Sequence, residues 1–330
     1  MKPQRAIRTD LALENREMLR DERESEDING VEIDVEKDGK LGVTVTWVRI
    51  TNEEGAAAMG KPVGNYITLE SAALKGNDIE THEEIAKILA RKLGNLHRLP
   101  KDGMILVVGL GNWKVTPDAL GPKVCAKMLV TRHLGDQTPE AIKALVRPVS
   151  ALSPGVMGIT GIETGEIVKG VAEKIKPDLI IAIDALAARR ASRINATVQI
   201  SDGGVNPGSG VGNRRMALTR ETLGVPVIAI GVPTVVDAAT LVNDTMDHMI
   251  DAMKEVLPRG EVFYEMLSEM REEERYGLIR ELLDPYEENM FVTPKDVDSV
   301  INRLAGIIAN ALNIALHPGI TTEDVNRYLL

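Results

Sequence analysis

The stretch MILVVGLGN, residues 104–112, decides the fold of this chain. Its first six residues form a continuous apolar run, which is typical of a parallel strand covered on both faces, and the run leads directly into a glycine-rich loop. Two similar runs follow, LIIAID (residues 179–184) and VPVIAIG (residues 225–231). Apolar residues at helical spacing separate the three runs. The sequence therefore predicts an α/β fold in which a largely parallel sheet is sandwiched by helices.

Further elements are predicted on both sides of this core. Residues 31–36 and 43–50 alternate apolar and polar side chains around a KDGK turn, and with residues 66–70 they indicate a β-rich part near the N-terminus. Residues 235–257 have the pattern of a long amphipathic helix, and residues 271–283 that of a charged surface helix. A last helix is expected to begin at Thr293-Pro294 and to end at Leu316. We expect one elaborated α/β domain with its core at about residues 101–257.

Composition excludes several classes of function. The chain carries a net charge of −10, which opposes binding to DNA or to anionic lipid, and its aromatic content of 3% leaves few platforms for base stacking. We therefore expect no direct nucleic-acid partner. No apolar run is long enough to cross a bilayer and no signal-peptide pattern opens the chain, so no membrane association and a cytoplasmic location are expected. The single cysteine, Cys125, excludes an internal disulfide and is expected to be a buried small hydrophobe.

Two aspartates are the candidate catalytic residues. Asp118 lies in the loop and helix start that follow the first apolar run, and Asp184 follows directly on the second. Ligands and catalytic groups collect at the carboxyl ends of parallel strands, so the two carboxyl groups are expected to approach each other. An Asp at a helix start is often only a cap. For Asp184 that interpretation is weaker, because a carboxylate at the end of so apolar a strand is costly without a partner or a purpose.

The two glycine-rich loops, residues 107–123 and 201–215, supply the candidate substrate-binding residues. These are Asn112, Thr116, Gly208, Ser209 and Arg214. Such loops also suit a non-enzymatic protein that binds a phosphate or a nucleotide, but the third glycine of the dinucleotide fingerprint and the Walker lysine are missing. The five histidines are scattered and form no HExxH pair. We therefore expect no cofactor and no resident metal.

The same segments resemble the spore germination proteases of endospore-forming bacteria, and the similarity runs almost from end to end. The motifs that carry it are VVGLGN and VTPDALGPK, RPVSALSPGVMGITGIET, PDLIIAIDALAAR, NATVQISD, NPGSGVGN, PVIAIGVPTVVDA, RTDLALE near the N-terminus and VTPKDVD near the C-terminus. Residues 257–286 are the most divergent part.

The resemblance implies a cytoplasmic endopeptidase of the spore core. It implies that the substrates are small acid-soluble proteins that coat spore DNA, that the enzyme is a homotetramer, and that it is made as an inactive precursor. It also implies a fold similar to that of hydrogenase maturation proteases, with acidic residues at the positions of Asp118 and Asp184. Those relatives add a histidine metal ligand that has no clear counterpart in this sequence.

Two carboxyl groups without a metal suggest an atypical aspartic-type mechanism. Two neighbouring carboxyls do not easily ionise together, so one keeps its proton while the other accepts a proton from the attacking water. Which of Asp118 and Asp184 is the base stays open. An alternative is a metal-assisted peptidase in which both carboxylates bind one divalent ion.

The precursor is predicted to process itself within RTDLALE, which resembles the sites cut in the family's substrates. Cleavage between Asp10 and Leu11 would make residues 1–10 a propeptide and residues 11–330 the peptidase domain.

Overall fold

The computed structural model of the chain describes residues 9–22, 28–98, 103–134, 138–208, 215–256, 272–283, 290–321 and 323–324. The strands within these ranges are β1 (Val31–Asp38), β2 (Val43–Ile50), β3 (Gly64–Glu70), β4 (Ile105–Gly109), β5 (Val149–Leu152), β6 (Leu179–Ala188), β7 (Thr197–Ser201), β8 (Val227–Asp237) and β9 (Phe291–Val292). They join in one sheet of order β1-β2-β3-β7-β8-β6-β4-β5, and β9 pairs with β8.

The sheet is mixed. Strands β8, β6, β4 and β5 run parallel, and β4 and β6 are buried almost throughout, as their apolar sequences predict. Strands β1, β2, β3 and β7 pair antiparallel with one another and join the parallel half at β8. The prediction of a largely parallel sheet is therefore confirmed for the four core strands only. The predicted β-rich N-terminal part exists, but it extends the same sheet.

Helices cover both faces of the sheet. They are α1 (Ala12–Glu22), α2 (Glu53–Met59), α3 (Ile79–Leu96), α4 (Leu120–Cys125), α5 (Glu140–Lys143), α6 (Met157–Thr160), α7 (Thr164–Ile175), α8 (Arg220–Leu223), α9 (Ala238–Val256), α10 (Glu272–Leu283) and α11 (Val297–Leu316). Helices α3, α4 and α11 enclose the larger apolar core on one face, and α7 and α8 enclose a second core on the other. The prediction that no apolar run is long enough to cross a bilayer is wrong for α11, which is long and apolar enough by length and composition. Most residues of this helix, however, are buried in the larger core.

Three predicted helices differ from the observed ones. Residues 235–237 belong to β8, because this strand continues its pairing with β6 and β9, so α9 begins only at Ala238. Helix α11 begins at Val297, because the Thr293 hydroxyl donates to the Thr234 carbonyl and ties that residue to β8. Helix α10 is not purely a surface helix, since Tyr276 is buried against α9. Residues 257 and 271, the predicted ends of two helices, lie outside the described ranges.

Helix α1 was not expected, because its sequence is charged and weakly patterned. It is held by ion pairs. The guanidinium of Arg193 lies 3.3 Å from the Glu14 carboxylate and 2.6 Å from that of Glu17, and it also pairs with Glu70 on β3. Charged contacts with distant parts of the chain therefore fix this helix, and periodicity in a single segment does not reveal them.

Candidate active site

A cavity of about 450 Å³ opens where β4 ends beside β6. Its walls come from the loop between β4 and α4, from β6, from the glycine-rich loop that follows β7 and from the N-terminal segment that precedes α1. Among the described residues, three carboxyl groups line it: Asp10, Asp118 and Asp184. The two candidate catalytic residues thus face one space, as their positions after neighbouring strands predict.

Asp118 is positioned by the loop that follows β4. It ends a 3₁₀ turn, Thr116–Asp118, directly before α4. Gly111 has a φ of +110°, and a Cβ there would lie 2.0 Å from the carbonyl oxygen of Asp118, so only glycine lets the loop fold against this turn. The backbone N–H of Asn112 then donates to Asp118 Oδ2 at 2.8 Å. The glycine-rich loop therefore orients a carboxyl group.

Asp184 lies inside β6, whereas the sequence predicted it at the strand's end. The strand continues to Ala188 because β8 extends beside it, pairing Asp184 with Gly231. Strand β4, on the other side, stops at Gly109 opposite Ile183. Asp184 is thus the first residue of β6 beyond the end of its neighbour. Its side chain is buried, and its Oδ1 accepts the N–H of Ala185 at 3.0 Å.

The surroundings of the two carboxyl groups favour their protonated forms. Burial raises the pKa of Asp184 well above its usual value, and the nearby carboxyls of Asp118 and Asp10 raise it further. Burial also raises the pKa of Asp118, against the opposing effects of the Asn112 N–H and of Arg215. The charge of Arg215 lowers the pKa of Asp184 as well. These effects favour the protonated form of Asp184 more strongly than that of Asp118.

The N-terminal segment, residues 9–11, is bound along β6 at the wall of the cavity. The N–H of Asp10 donates to the carbonyl of Ala187 at 3.1 Å, and the N–H of Ala187 donates to Asp10 Oδ2 at 2.9 Å. The Asp10 carbonyl oxygen accepts hydrogen bonds from Lys61 Nζ at 2.9 Å and from Gln199 Nε2 at 3.3 Å. The next residue, Leu11, is completely buried. The Asp10–Leu11 peptide bond is thereby fixed at the wall of the cavity that Asp118 and Asp184 line.

A second acidic side chain anchors the same segment farther along. Glu14 is completely buried, and its carboxylate accepts the backbone N–H groups of Arg189 at 2.7 Å and Arg190 at 2.9 Å. The guanidinium of Arg193 lies 3.3 Å from it. A buried carboxylate requires such partners. These two N–H groups and the guanidinium therefore form a binding site for the carboxylate of the residue three positions after Leu11.

The predicted substrate-binding residues are in different situations. Gly208 lines the cavity. Asn112 contributes its backbone N–H to Asp118, and the hydroxyl of Thr116 donates to Asp298 Oδ1 at 2.7 Å. Ser209 and Arg214 lie outside the described residues. A substrate contact stays a prediction for all five.

Sequence reasoning missed Lys61 and Gln199. Gln199 is a long polar side chain within the buried strand TVQIS, and this position could have marked it as a functional residue. Lys61 follows α2 in an ordinary polar turn, and nothing in the sequence around it indicates a function. Among the residues that the structure describes, no group of three or more His, Cys, Asp or Glu side chains is arranged to hold a metal ion.

A peptide segment hydrogen-bonded at the wall of a cavity that carboxyl groups line, at the carboxyl edge of parallel strands, is the arrangement expected of a peptidase. The sequence pattern of the germination protease family matches residues 8–257 and 254–329. Proteins named germination protease are 52% identical in Caldanaerobacter subterraneus subsp. tengcongensis, covering 98% of each chain, and 51% identical in Clostridium tetani, covering 98% of this chain and 99% of the relative. The Bacillus subtilis protein is 45% identical over 98% of this chain and 96% of its own. This chain belongs to the germination protease family and is an endopeptidase of spore germination.

Proposed function

We propose that this endopeptidase digests small acid-soluble DNA-binding proteins in the spore core, and that it is made as a precursor which removes its own residues 1–10. The observation that carries the proposal is the position of the Asp10–Leu11 bond. Asp10 lines the cavity that Asp118 and Asp184 also line, its carbonyl oxygen is hydrogen-bonded, and the following Leu11 is buried. A protease holds the peptide that it cuts by such backbone hydrogen bonds and buried side chains.

Asp118 and Asp184 are the proposed catalytic pair of an atypical aspartic-type mechanism. The environment of Asp184 favours its protonated form, and the Asn112 N–H stabilises the ionised form of Asp118. Asp118 then accepts a proton from water as the water attacks the peptide carbonyl, and Asp184 supplies the proton that the leaving nitrogen needs. This division of roles follows from the different burial of the two groups.

Self-processing at Asp10–Leu11 is the proposed first reaction of this site. It would leave Leu11 as the new N-terminus and residues 11–330 as the peptidase domain. Acidification should favour the step, because the carboxyls of Asp118 and Asp10 repel the charged form of Asp184 and protonation of Asp184 relieves that repulsion. The fold likeness to hydrogenase maturation proteases and the homotetramer belong to the same proposal and rest on the resemblance.

Replacement of each catalytic carboxyl tests the proposal. Asp118→Asn and Asp184→Asn should each lower the rate of substrate cleavage by about 100-fold to 10,000-fold, the usual contribution of a general acid or base, while circular dichroism stays unchanged. Asp34→Asn, an exposed position on β1, is the matched control. Turnover at the wild-type rate in either variant would remove the pair from the mechanism.

The metal-assisted alternative uses the same carboxylates and therefore needs a separate test. The purified enzyme is dialysed against a chelator and assayed on a small acid-soluble spore protein. Full activity after dialysis agrees with the carboxyl pair acting alone. Loss of activity that a divalent ion restores would favour the metal-assisted mechanism.

A further inference from the structure

We infer that Lys61 is a catalytic residue of this site, because its ammonium, together with the amide of Gln199, is placed to stabilise the negative charge that forms on the Asp10 carbonyl oxygen during cleavage of the Asp10–Leu11 bond. The inference rests on the proposed function, since it assigns a role in the proposed self-processing.

The geometry singles out one atom. Lys61 Nζ lies 2.9 Å from the Asp10 carbonyl oxygen and Gln199 Nε2 lies 3.3 Å from it, so two donors converge on the oxygen of the bond to be cut. Donors within about 3 Å of the position of a developing oxyanion are the structural mark of an oxyanion hole. The other end of the Gln199 side chain accepts the N–H of Ala12 at 2.8 Å. One amide therefore holds the chain on both sides of the Asp10–Leu11 bond.

The surroundings of Lys61 make this contact effective. Lys61 lines the cavity, and removal of its ammonium from water lowers its pKa, while the nearby Asp10 carboxyl raises it. A cation that has given up hydration interacts more strongly with a negative charge that forms beside it. It also supplies that interaction without reorganisation of solvent, since the hydrogen bond already exists before the reaction.

The reaction balances with one water and with no other reactant. The water oxygen forms a bond to the Asp10 carbonyl carbon, and one water proton passes to Asp118. The carbonyl π electron pair moves onto the oxygen, where Lys61 and Gln199 stabilise the charge. The pair then returns to re-form the carbonyl as the carbon–nitrogen bond breaks, and the Leu11 nitrogen takes a proton from Asp184. With the oxyanion stabilised by Lys61, the proton of Asp184 stays available for the leaving nitrogen.

Self-trimming of the full-length precursor is the assay for Lys61. The rate constant for loss of residues 1–10 is measured by intact-mass spectrometry at mildly acidic pH, for the unmodified chain and for Lys61→Met, Lys61→Gln and Lys61→Ala. Because the substrate is part of the chain, the rate contains no separate KM. Loss of the Lys61 ammonium should slow trimming by about 100-fold or more in all three variants. Lys87→Met, an exposed lysine on α3, is the matched control and should trim at the unmodified rate.

Chemical rescue separates catalysis from packing. Propylammonium ions added to Lys61→Ala should restore trimming, whereas 1-propanol, of similar size and without charge, should not. Equal rescue by both would show that Lys61 only fills space, and trimming of Lys61→Met or Lys61→Gln within about threefold of the unmodified rate would also overturn the inference. Where Lys61→Met does not fold, Lys61→Gln decides the question, because it keeps a donor and loses the charge.

Results that would contradict the proposed self-processing differ from results that would contradict only the role of Lys61. An unmodified precursor that never loses residues 1–10, or an isolated Asp184→Asn precursor that still loses them, would overturn both the self-processing proposal and the role of Lys61. Trimming that requires Asp184 and proceeds normally without Lys61 would overturn the role of Lys61 alone.

Discussion

Replacement of Asp184 by asparagine should stabilise the folded precursor at neutral pH while it abolishes trimming. Burial and the carboxyls of Asp118 and Asp10 raise the pKa of Asp184 well above its usual value. The folded chain therefore holds a proton in a pH range where the unfolded chain has already released it. The resulting stability is fully present below the unfolded pKa, near 3.9, and is lost as pH rises through the folded pKa.

The size of this pH effect on the free energy of unfolding follows from the number of protons that the folded chain binds in excess of the unfolded chain. One proton held only by the folded state changes the free energy of unfolding by about 1.4 kcal/mol per pH unit across that window. Asparagine does not ionise, and its amide oxygen retains the hydrogen bond from the Ala185 N–H, so the variant should lose this slope without losing a contact.

Urea unfolding of both precursors at steps from about pH 5 to about pH 8 measures the effect, with intact mass confirming that each sample still begins at Met1. The unmodified chain should lose stability relative to Asp184→Asn as pH rises. Asp34→Asn should follow the unmodified chain. Parallel stability profiles for the unmodified chain and Asp184→Asn, or a less stable Asp184→Asn protein at pH 7, would refute the electrostatic account of this site.

Three further predictions concern the leader, its anchor and the assembly. Precursors carrying Leu11→Pro or Asp184→Asn, held at mildly acidic pH, should keep residues 1–10 that the unmodified chain loses; trimming of the Leu11→Pro chain at the same bond would contradict the assigned site. Arg193→Met should lower the free energy of unfolding by about 3–5 kcal/mol, because it leaves the buried Glu14 carboxylate without its cation, whereas Arg190→Met, which removes a half-exposed ion pair, should cost less than about 1 kcal/mol. If a denaturant titration shows that the two variants lose equal free energy of unfolding, the buried Arg193–Glu14 pair stabilises the protein no more than the half-exposed pair does. Light scattering should return the mass of a closed homotetramer, and a monomer mass at micromolar concentration would reject it.

The core strands and the approach of the two carboxyls were predictable from sequence because both follow from local patterns. The apolar runs around Val107 and Ile181 specify buried strands, and parallel strands bring their carboxyl ends to one edge of the sheet. The pairing of Asp118 and Asp184 at that edge needed only the order of strands and loops along the chain.

The remaining features depend on contacts between distant residues. Strand β6 runs past Asp184 because β8 extends beside it, and α1 is fixed by Arg193, which lies far along the chain. Lys61 meets the Asp10 carbonyl only because the N-terminal segment is laid along Ala187. No periodicity or composition of a single segment contains these contacts, so sequence patterns do not predict them.

The burial of α11 has a consequence for synthesis of the protein. This helix fills much of one face of the core, its Asp298 accepts the hydroxyl of Thr116 in the turn that ends at Asp118, and its Asn313 accepts the N–H of Leu129 after α4. The ribosome makes residues 297–316 after every strand of the sheet. The nascent chain therefore lacks these contacts to the Asp118 turn and to the segment after α4 until α11 has been made. A product truncated before α11 would expose the apolar face of the sheet that this helix covers, which favours aggregation.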